Sequence, residues 1–296
     1  MITRTDVEAA ATRIAPYIRR TPVVEVAPGL LWKLEFLQYS GSFKARGATN
    51  RLLSGEVPAA GVIAASGGNH GLAVAHAAAR LGLPAEVFVP QTAPTFKVAG
   101  LVALGAKVVR HGGEYAEAYA AAVERSAESG ALFCHAYDQP EVVAGQGTVG
   151  LELPEVDTVV VAVGGGGLLS GVAAAVEGRA RVVGVEPATI PTLHEALAAG
   201  GPVDVAVSGV AADSLGARRL GSIAYDVAVR TGVRSVLVSD DDIVAARRWV
   251  WEEARLVVEH GAAAAVAALR TGAYTPEKGE RVAVVLCGAN TDPSLT

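Results

Sequence analysis

Lys44 lies in the run Tyr39-Ser40-Gly41-Ser42-Phe43-Lys44-Ala45-Arg46-Gly47, beside small residues that leave its side chain uncrowded. A lysine desolvated in a cleft loses its proton. The neutral amine can then condense with an aldehyde as a Schiff base. The plain alternative for this segment alone is a solvated lysine opening a helix, because most lysines are surface residues. A second run, Gly164-Gly165-Gly166-Gly167, lies between an apolar strand pattern and a helical one. Without side chains there, backbone N–H groups can close on an anion, and a helix N-terminus adds partial positive charge. A tight turn would need one or two glycines, so four in a row favour contact with a phosphate. The run lacks the Gly-Lys-Ser/Thr ending of a P-loop and is not the Gly-x-Gly-x-x-Gly dinucleotide fingerprint.

A third run, Ser66-Gly67-Gly68-Asn69-His70-Gly71, has the same strand-to-helix placement. Its N–H groups, the Ser66 hydroxyl and the Asn69 amide suit a carboxylate. Ser66 or Asn69 can also act as an ordinary helix cap, and the two readings are compatible. His70 on its own reads more simply as a structural histidine. Cys287 ends the last strand pattern, where parallel sheets place ligands, although a lone cysteine is usually a buried apolar residue. No Ser/His/Asp order, Cys-x-x-Cys or His-Glu-x-x-His is present, which argues against a hydrolase or a zinc site. A phosphate, an aldehyde and a carboxylate are together met by pyridoxal 5'-phosphate joined to an amino acid.

These runs need elements to hold them. Thr5-Asp6-Val7-Glu8 predicts a capping box opening a helix towards Ile18. Val23 to Val26 and Leu30 to Leu34 predict strands, and Ala45 to Leu53 a helix. From Gly61, strands at 62–65, 85–89, 107–110 and 132–135 alternate with helices at 72–81, 95–104 and 115–129. A second series follows, with helices at 141–153, 168–177, 190–199, 240–255 and 259–269. Its strands fall at 158–163, 181–185, 235–238 and 281–286, and 200–221 reads as irregular. Such alternation implies right-handed crossovers and parallel sheets. The expected architecture is α/β, with two lobes each built on a largely parallel sheet flanked by helices, and a cleft between them. Residues 1–59 and 139–296 would form a large cofactor-binding domain, and 60–138 a small domain for the substrate carboxylate.

Composition narrows the class. The chain has 296 residues, 51% hydrophobic and 19% charged, with a formal net charge of -5. That length supports one large or two moderate domains, and the absence of a basic block argues against a nucleic-acid partner. Thr158 to Val176 is 19 residues without a charge, about the length that spans a bilayer. Four glycines in a helix interior would cost about 1 kcal/mol each, so a buried strand, loop and helix fit better than a membrane span. Two cysteines, Cys134 and Cys287, are too few for a disulfide framework and suit a reducing compartment. The N-terminus lacks the apolar core of a signal peptide, so the expectation is a soluble cytoplasmic protein.

In order and spacing, these motifs resemble the fold-type II (tryptophan synthase β-like) pyridoxal-phosphate enzymes, within them the threonine/serine dehydratase and serine racemase group. The resemblance begins with Asp6 to Pro22 and runs through Ser42 to Gly47, Ser66 to Gly71 and Ala144 to Thr148. It ends with Gly164 to Gly171 and Cys287 to Asp292. It implies that Lys44 holds the cofactor and removes the substrate α-proton, with Phe43 packed by the cofactor. Gly164, Gly165, Gly166, Gly167 and Leu168 would hold the phosphate, and Asn69 the ring's 3'-oxygen. Ser66, Gly67, Asn69 and His70 would line the substrate carboxylate. Cys287 would face the pyridine nitrogen, where a thiol leaves that nitrogen largely neutral. Loss of a β-hydroxyl then becomes the easier route, giving a 2-oxo acid and ammonia. The resemblance further implies an amino-acid substrate and a homodimer.

Two positions depart from the group. Racemases carry a serine at Gly67, so the expectation is elimination without efficient racemisation, with a racemase as the alternative and a non-catalytic binder of the cofactor as the alternative of another class. Relatives also bind a cation through a glutamate, a carbonyl and an aspartate. Glu186 matches the glutamate, but Thr192 stands at the aspartate position. A hydroxyl is a weak ligand for magnesium or calcium, which leaves a monovalent cation held mainly by carbonyls. The longer biosynthetic dehydratases append a regulatory domain after the last motif, so no isoleucine feedback site of that type is expected.

Overall fold

A computed structural model describes residues 2–292. The chain runs α1 (Arg4–Ile14), β1 (Val23–Ala27), β2 (Leu30–Lys33), α2 (Lys44–Leu53), β3 (Val62–Ala65), α3 (Asn69–Leu81), β4 (Ala85–Val89), α4 (Thr95–Ala103), β5 (Lys107–Arg110), α5 (Tyr115–Ser129) and β6 (Leu132–Phe133). It continues α6 (Pro140–Leu151), β7 (Thr158–Ala162), α7 (Gly167–Val176), β8 (Arg181–Pro187), α8 (Thr192–Ala199), α9 (Ala212–Leu215), α10 (Ser222–Thr231), β9 (Arg234–Val238), α11 (Asp240–Ala254), α12 (His260–Arg270) and β10 (Val282–Val285).

Two sheets result. One has six strands in the order β1-β2-β10-β7-β8-β9, the other four in the order β5-β4-β3-β6. Among the named strands of the described residues, only the hairpin β1-β2 is antiparallel; the other strand pairings are parallel. β7 is buried along its whole length, as a strand covered by helices on both faces must be. From β7 the chain builds outward through β8 and β9, then returns to place β10 on the other side. A crevice opens at such a reversal, outside the carboxyl ends of the strands. The Gly164 run follows β7 and Cys287 follows β10 at this point, and the Ser66 run follows β3 in the smaller sheet.

Helices α6 and α7 pack with their backbones nearly touching. A Cβ on Gly171 would lie 2.4 Å from the Val143 carbonyl oxygen, so only glycine fits. Beneath α2, Arg46 is fully buried and donates to both oxygens of Glu35 at 2.5 and 3.0 Å. It also donates to Glu152 at 2.7 and 3.0 Å and to the Thr148 hydroxyl at 3.1 Å. Buried Lys33 pairs with Glu152 as well and donates to the Thr21 carbonyl at 2.7 Å. Two cations and two carboxylates therefore balance in the interior and tie α2 to β2 and α6.

Several elements differ from the expected bounds. The capping box is Thr3 with Asp6, whose side chain accepts from the Thr3 N–H at 2.8 Å, and the helix ends at Ile14 rather than near Ile18. β6 stops at Phe133 because His135 turns its N–H to Gln139 Oε1. The stretch expected to be irregular contains α9, and α10 follows it unforeseen. Among the described residues, no helix is long and apolar enough to cross a membrane.

Removing one member of the buried ion cluster leaves uncompensated charge. Arg46→Met should cost about 3–5 kcal/mol in urea denaturation. A loss below about 1 kcal/mol, the scale of an exposed pair, would show that the cluster does not hold α2.

Candidate active site

The approach to Lys44 is laced to the end of β10. Phe36 and Phe43 donate their N–H groups to the carbonyls of Leu286 and Cys287 at 2.9 and 3.0 Å, and Ser42 bridges Gly288. Gly41, at φ +75°, makes the tight turn between them. Lys44 then opens α2 half-buried, with Nζ 2.7 Å from the Ala136 carbonyl and 5.0 Å from the Phe43 ring centre. Burial pulls its amine down to about 8, against the opposing pull of Cys287, Cys134 and Glu259. At about 8, roughly a tenth of the amine is neutral at pH 7, far more than an ordinary lysine holds.

Lys44 faces a cleft with about 470 Å³ of empty space, part of it open solvent. Phe43, Asn69, Gly164, Gly165, Gly166, Gly167, Leu168 and Cys287 line the same cleft. Gly166 is left-handed at φ +84°, and α7 begins at Gly167, whose first-turn N–H groups have no intrahelical acceptor. A Cβ on Gly165 would sit 2.4 Å from the Tyr137 ring, so the loop needs glycine for packing as well as for an anion. Cys287 is buried, and burial, then Glu259, pushes its thiol up to about 12. It keeps its hydrogen at neutral pH.

The Ser66 run sits differently. Ser66, Gly67 and His70 do not line the cleft. The Ser66 hydroxyl accepts from the Gly68 N–H at 3.1 Å. His70 is buried with Nε2 2.8 Å from the Cys134 carbonyl, so that nitrogen carries the hydrogen. Burial, then the Lys44 charge, lowers His70 to about 3 and keeps it neutral. Its ring is committed to the fold, and what this loop offers an anion is the N-terminus of α3. A Cβ on Gly67 would meet nothing closer than Val89 Cγ1 at 3.5 Å.

Residues that the sequence did not single out complete the cleft. Tyr137, Ser214, Leu215 and Glu259 line it. Glu259 is buried and accepts both contacts of the Asn69 amide, at 2.9 and 2.8 Å. Burial raises its carboxyl to about 7, with the Asn69 bond opposing. Asn69 in turn accepts from Asn290 Nδ2 at 2.6 Å, and that nitrogen also reaches the Ser40 carbonyl at 2.7 Å. This relay fastens the first turn of α3 across the cleft to the larger sheet. A glutamate just ahead of an alanine-rich helix reads as a solvated cap, so no sequence signal marks it. Glu186 lies apart from the cleft lining, buried at the end of β8.

The cleft thus supplies an amine, a glycine-walled anion cradle, an aromatic wall and a neutral thiol. The residues present fit pyridoxal phosphate: four glycines leave their backbone N–H groups uncovered by side chains at the start of α7, and the Lys44 amine lines the same cleft. A family model for pyridoxal-phosphate dependent enzymes matches residues 14–288. The chain belongs to that family. An L-threonine ammonia-lyase of Thermotoga maritima is 37% identical over 311 residues, covering 100% of this chain and 77% of that protein. A phenylserine dehydratase of Ralstonia pickettii is 40% identical, covering 95% of this chain and 90% of that protein. Among solved structures, a maize serine racemase superposes with a TM-score of 0.91 at 31% identity, covering 98% of this chain and 94% of that one. This pyridoxal-phosphate dependent enzyme has the two largely parallel sheets flanked by helices that the sequence pattern implied.

Tyr137 and Gly165 should be energetically coupled. Gly165→Ala forces a shift costing about 1–3 kcal/mol, and a double-mutant cycle with Tyr137→Ala should recover a coupling of that size in thermal or urea unfolding. Strictly additive effects would contradict the contact.

Proposed function

We propose that the chain is an ammonia-lyase that converts L-threonine, L-serine or a related β-hydroxy amino acid to a 2-oxo acid and ammonia. The observation that carries this reading is the half-buried Lys44 amine, drawn down to about 8, in one cleft with the glycine cradle. When bound, pyridoxal phosphate supplies an electron-withdrawing ring that acidifies the substrate α-proton. The N–H groups of Gly164 to Gly167 and Leu168 would hold the phosphate. The Asn69 amide, oriented by Glu259 and Asn290, would meet the ring's 3'-oxygen. The first N–H groups of α3 would hold the substrate carboxylate, with Ser66 and Gly67 beside them outside the cleft lining. Lys44, in its neutral form, would take the α-proton. The Cys287 thiol would lend the ring nitrogen no charge. The names of the relatives, threonine ammonia-lyase and phenylserine dehydratase, support a β-hydroxy substrate.

Racemisation is the second reading, since a serine racemase is among the structural neighbours. It would need a proton donor on the second face of the α-carbon. Gly67 has no side chain to provide one, although the space beside it would admit a serine. We further infer a division into a large cofactor-binding domain, residues 1–59 and 139–296, and a small one, residues 60–138. A homodimer in the cytoplasm is inferred by family analogy, in keeping with the two free cysteines.

Protein loaded with pyridoxal phosphate should release 2-oxobutanoate and ammonia from L-threonine. Lys44→Ala should lose the yellow colour and slow release by at least about a thousandfold. An unchanged rate in that variant would sink the assignment, and a coloured protein that turns over no β-hydroxy amino acid would mark a binder instead. With L-serine, D-serine should form far more slowly than pyruvate, and Gly67→Ser should narrow that gap. Comparable rates in the unaltered protein would favour the racemase.

A further inference from the structure

The cation that the family resemblance implies at Glu186 does not fit the residues found there. A calcium site needs six to eight oxygen ligands at about 2.3–2.6 Å, and magnesium an octahedron at about 2.0–2.1 Å. Glu186 is buried and surrounded by donors instead. Its Oε1 accepts from the Leu193 N–H at 2.6 Å and contacts the Thr192 hydroxyl at 2.9 Å. Its Oε2 accepts from the His194 N–H at 2.9 Å. These N–H groups open α8, so the carboxylate serves as the cap of that helix from outside it. Positive hydrogens point where a metal would have to sit. Among the described residues, no group of three or more His, Cys, Asp or Glu side chains could hold a metal ion.

The residue at the would-be ligand position has a different task. Thr192 is buried, and its hydroxyl lies 2.6 Å from the carbonyl oxygen of Gly164, the first residue of the cradle. The same hydroxyl lies 2.9 Å from Glu186 Oε1; with one hydrogen to give, it donates to one of these two oxygens at a time. One side chain thus joins the end of β8, the start of α8 and the end of β7. On its other side, Gly164 is pressed against the Leu215 backbone, where an added Cβ would come within 3.1 Å.

We propose that Glu186 and Thr192 form a metal-free lock that replaces the cation, with Thr192 a positioning residue for the glycine cradle. It fixes the Gly164 carbonyl through a direct hydrogen bond, where a cation would act through coordination. The inference rests on the cofactor reading above only for its affinity readout.

The test has two independent arms. In the first, the melting temperature of cofactor-free protein is followed with millimolar magnesium, calcium, potassium or sodium and with EDTA. The lock predicts no shift beyond that of ionic strength, and Thr192→Asp should gain a rise with magnesium or calcium. A rise specific to any one cation in the unaltered protein overturns the proposal. In the second arm, pyridoxal phosphate affinity is measured by fluorescence titration. Thr192→Val, which keeps shape and loses the hydroxyl, should weaken binding about three- to tenfold, the effect of one buried hydrogen bond. Thr192→Ser should restore it. Unchanged affinity in Thr192→Val overturns the positioning role. Absence of cofactor binding in the unaltered protein would count against the cofactor reading, and leaves the first arm to decide the lock.

Discussion

An amine that must act without its proton cannot stand in open water. Everything in this fold that bears on chemistry follows from keeping Lys44 dry while leaving it within reach of an aldehyde. Burial does most of this, bringing the group to about 8. Its place at the first residue of α2 works in the same direction, since the positive end of a helix disfavours a second positive charge. The Ala136 carbonyl gives the amine a neutral acceptor, so no carboxylate is needed beside it. Glu259 lines the same cleft, but it is bound to Asn69 and itself raised by burial.

A dry amine needs a stiff support. Lys44 and Arg46 lie two residues apart on α2 and so face different sides. One looks into the cleft, while the other grips Glu35 and Glu152 beneath it. The segment ahead of the helix is stitched to the last strand, and this sets Lys44 beside Cys287. The reversal of strand order between β7 and β10 supplies the opening itself. Asn69, Glu259 and Asn290 then span that opening, so the loop after β3 is held to the larger sheet by polar contacts that cofactor or substrate could rearrange.

Much of this was legible in sequence because buried parallel strands are short apolar runs set off by glycine and proline. The helix from Tyr115 to Ser129 has both ends where its sequence pattern puts them. What stayed hidden depended on partners distant along the chain. The N-terminus of α10 is capped by Asp138, whose oxygens accept from Ser222 and Ile223 at 3.0 Å across more than 80 residues. Without a local cap, the helix left no mark. Glu186 does the same for α8, accepting from the N–H groups of Leu193 and His194, a role that a strand-end carboxylate does not reveal in sequence. Lys44 and the glycines could be read because their types already imply chemistry. Glu259 and Tyr137 could not, because burial alone distinguishes them from surface residues of the same kind.

The protonation state of the Lys44 amine can be measured without turnover. Cofactor-free protein can be acylated in pulses across pH, with modification of Lys44 followed by peptide mass spectrometry. A desolvated amine predicts a reactivity midpoint near 8. A midpoint near the ordinary 10.5 would mean that Lys44 is solvated, and the cleft would lose its nucleophile and its base together.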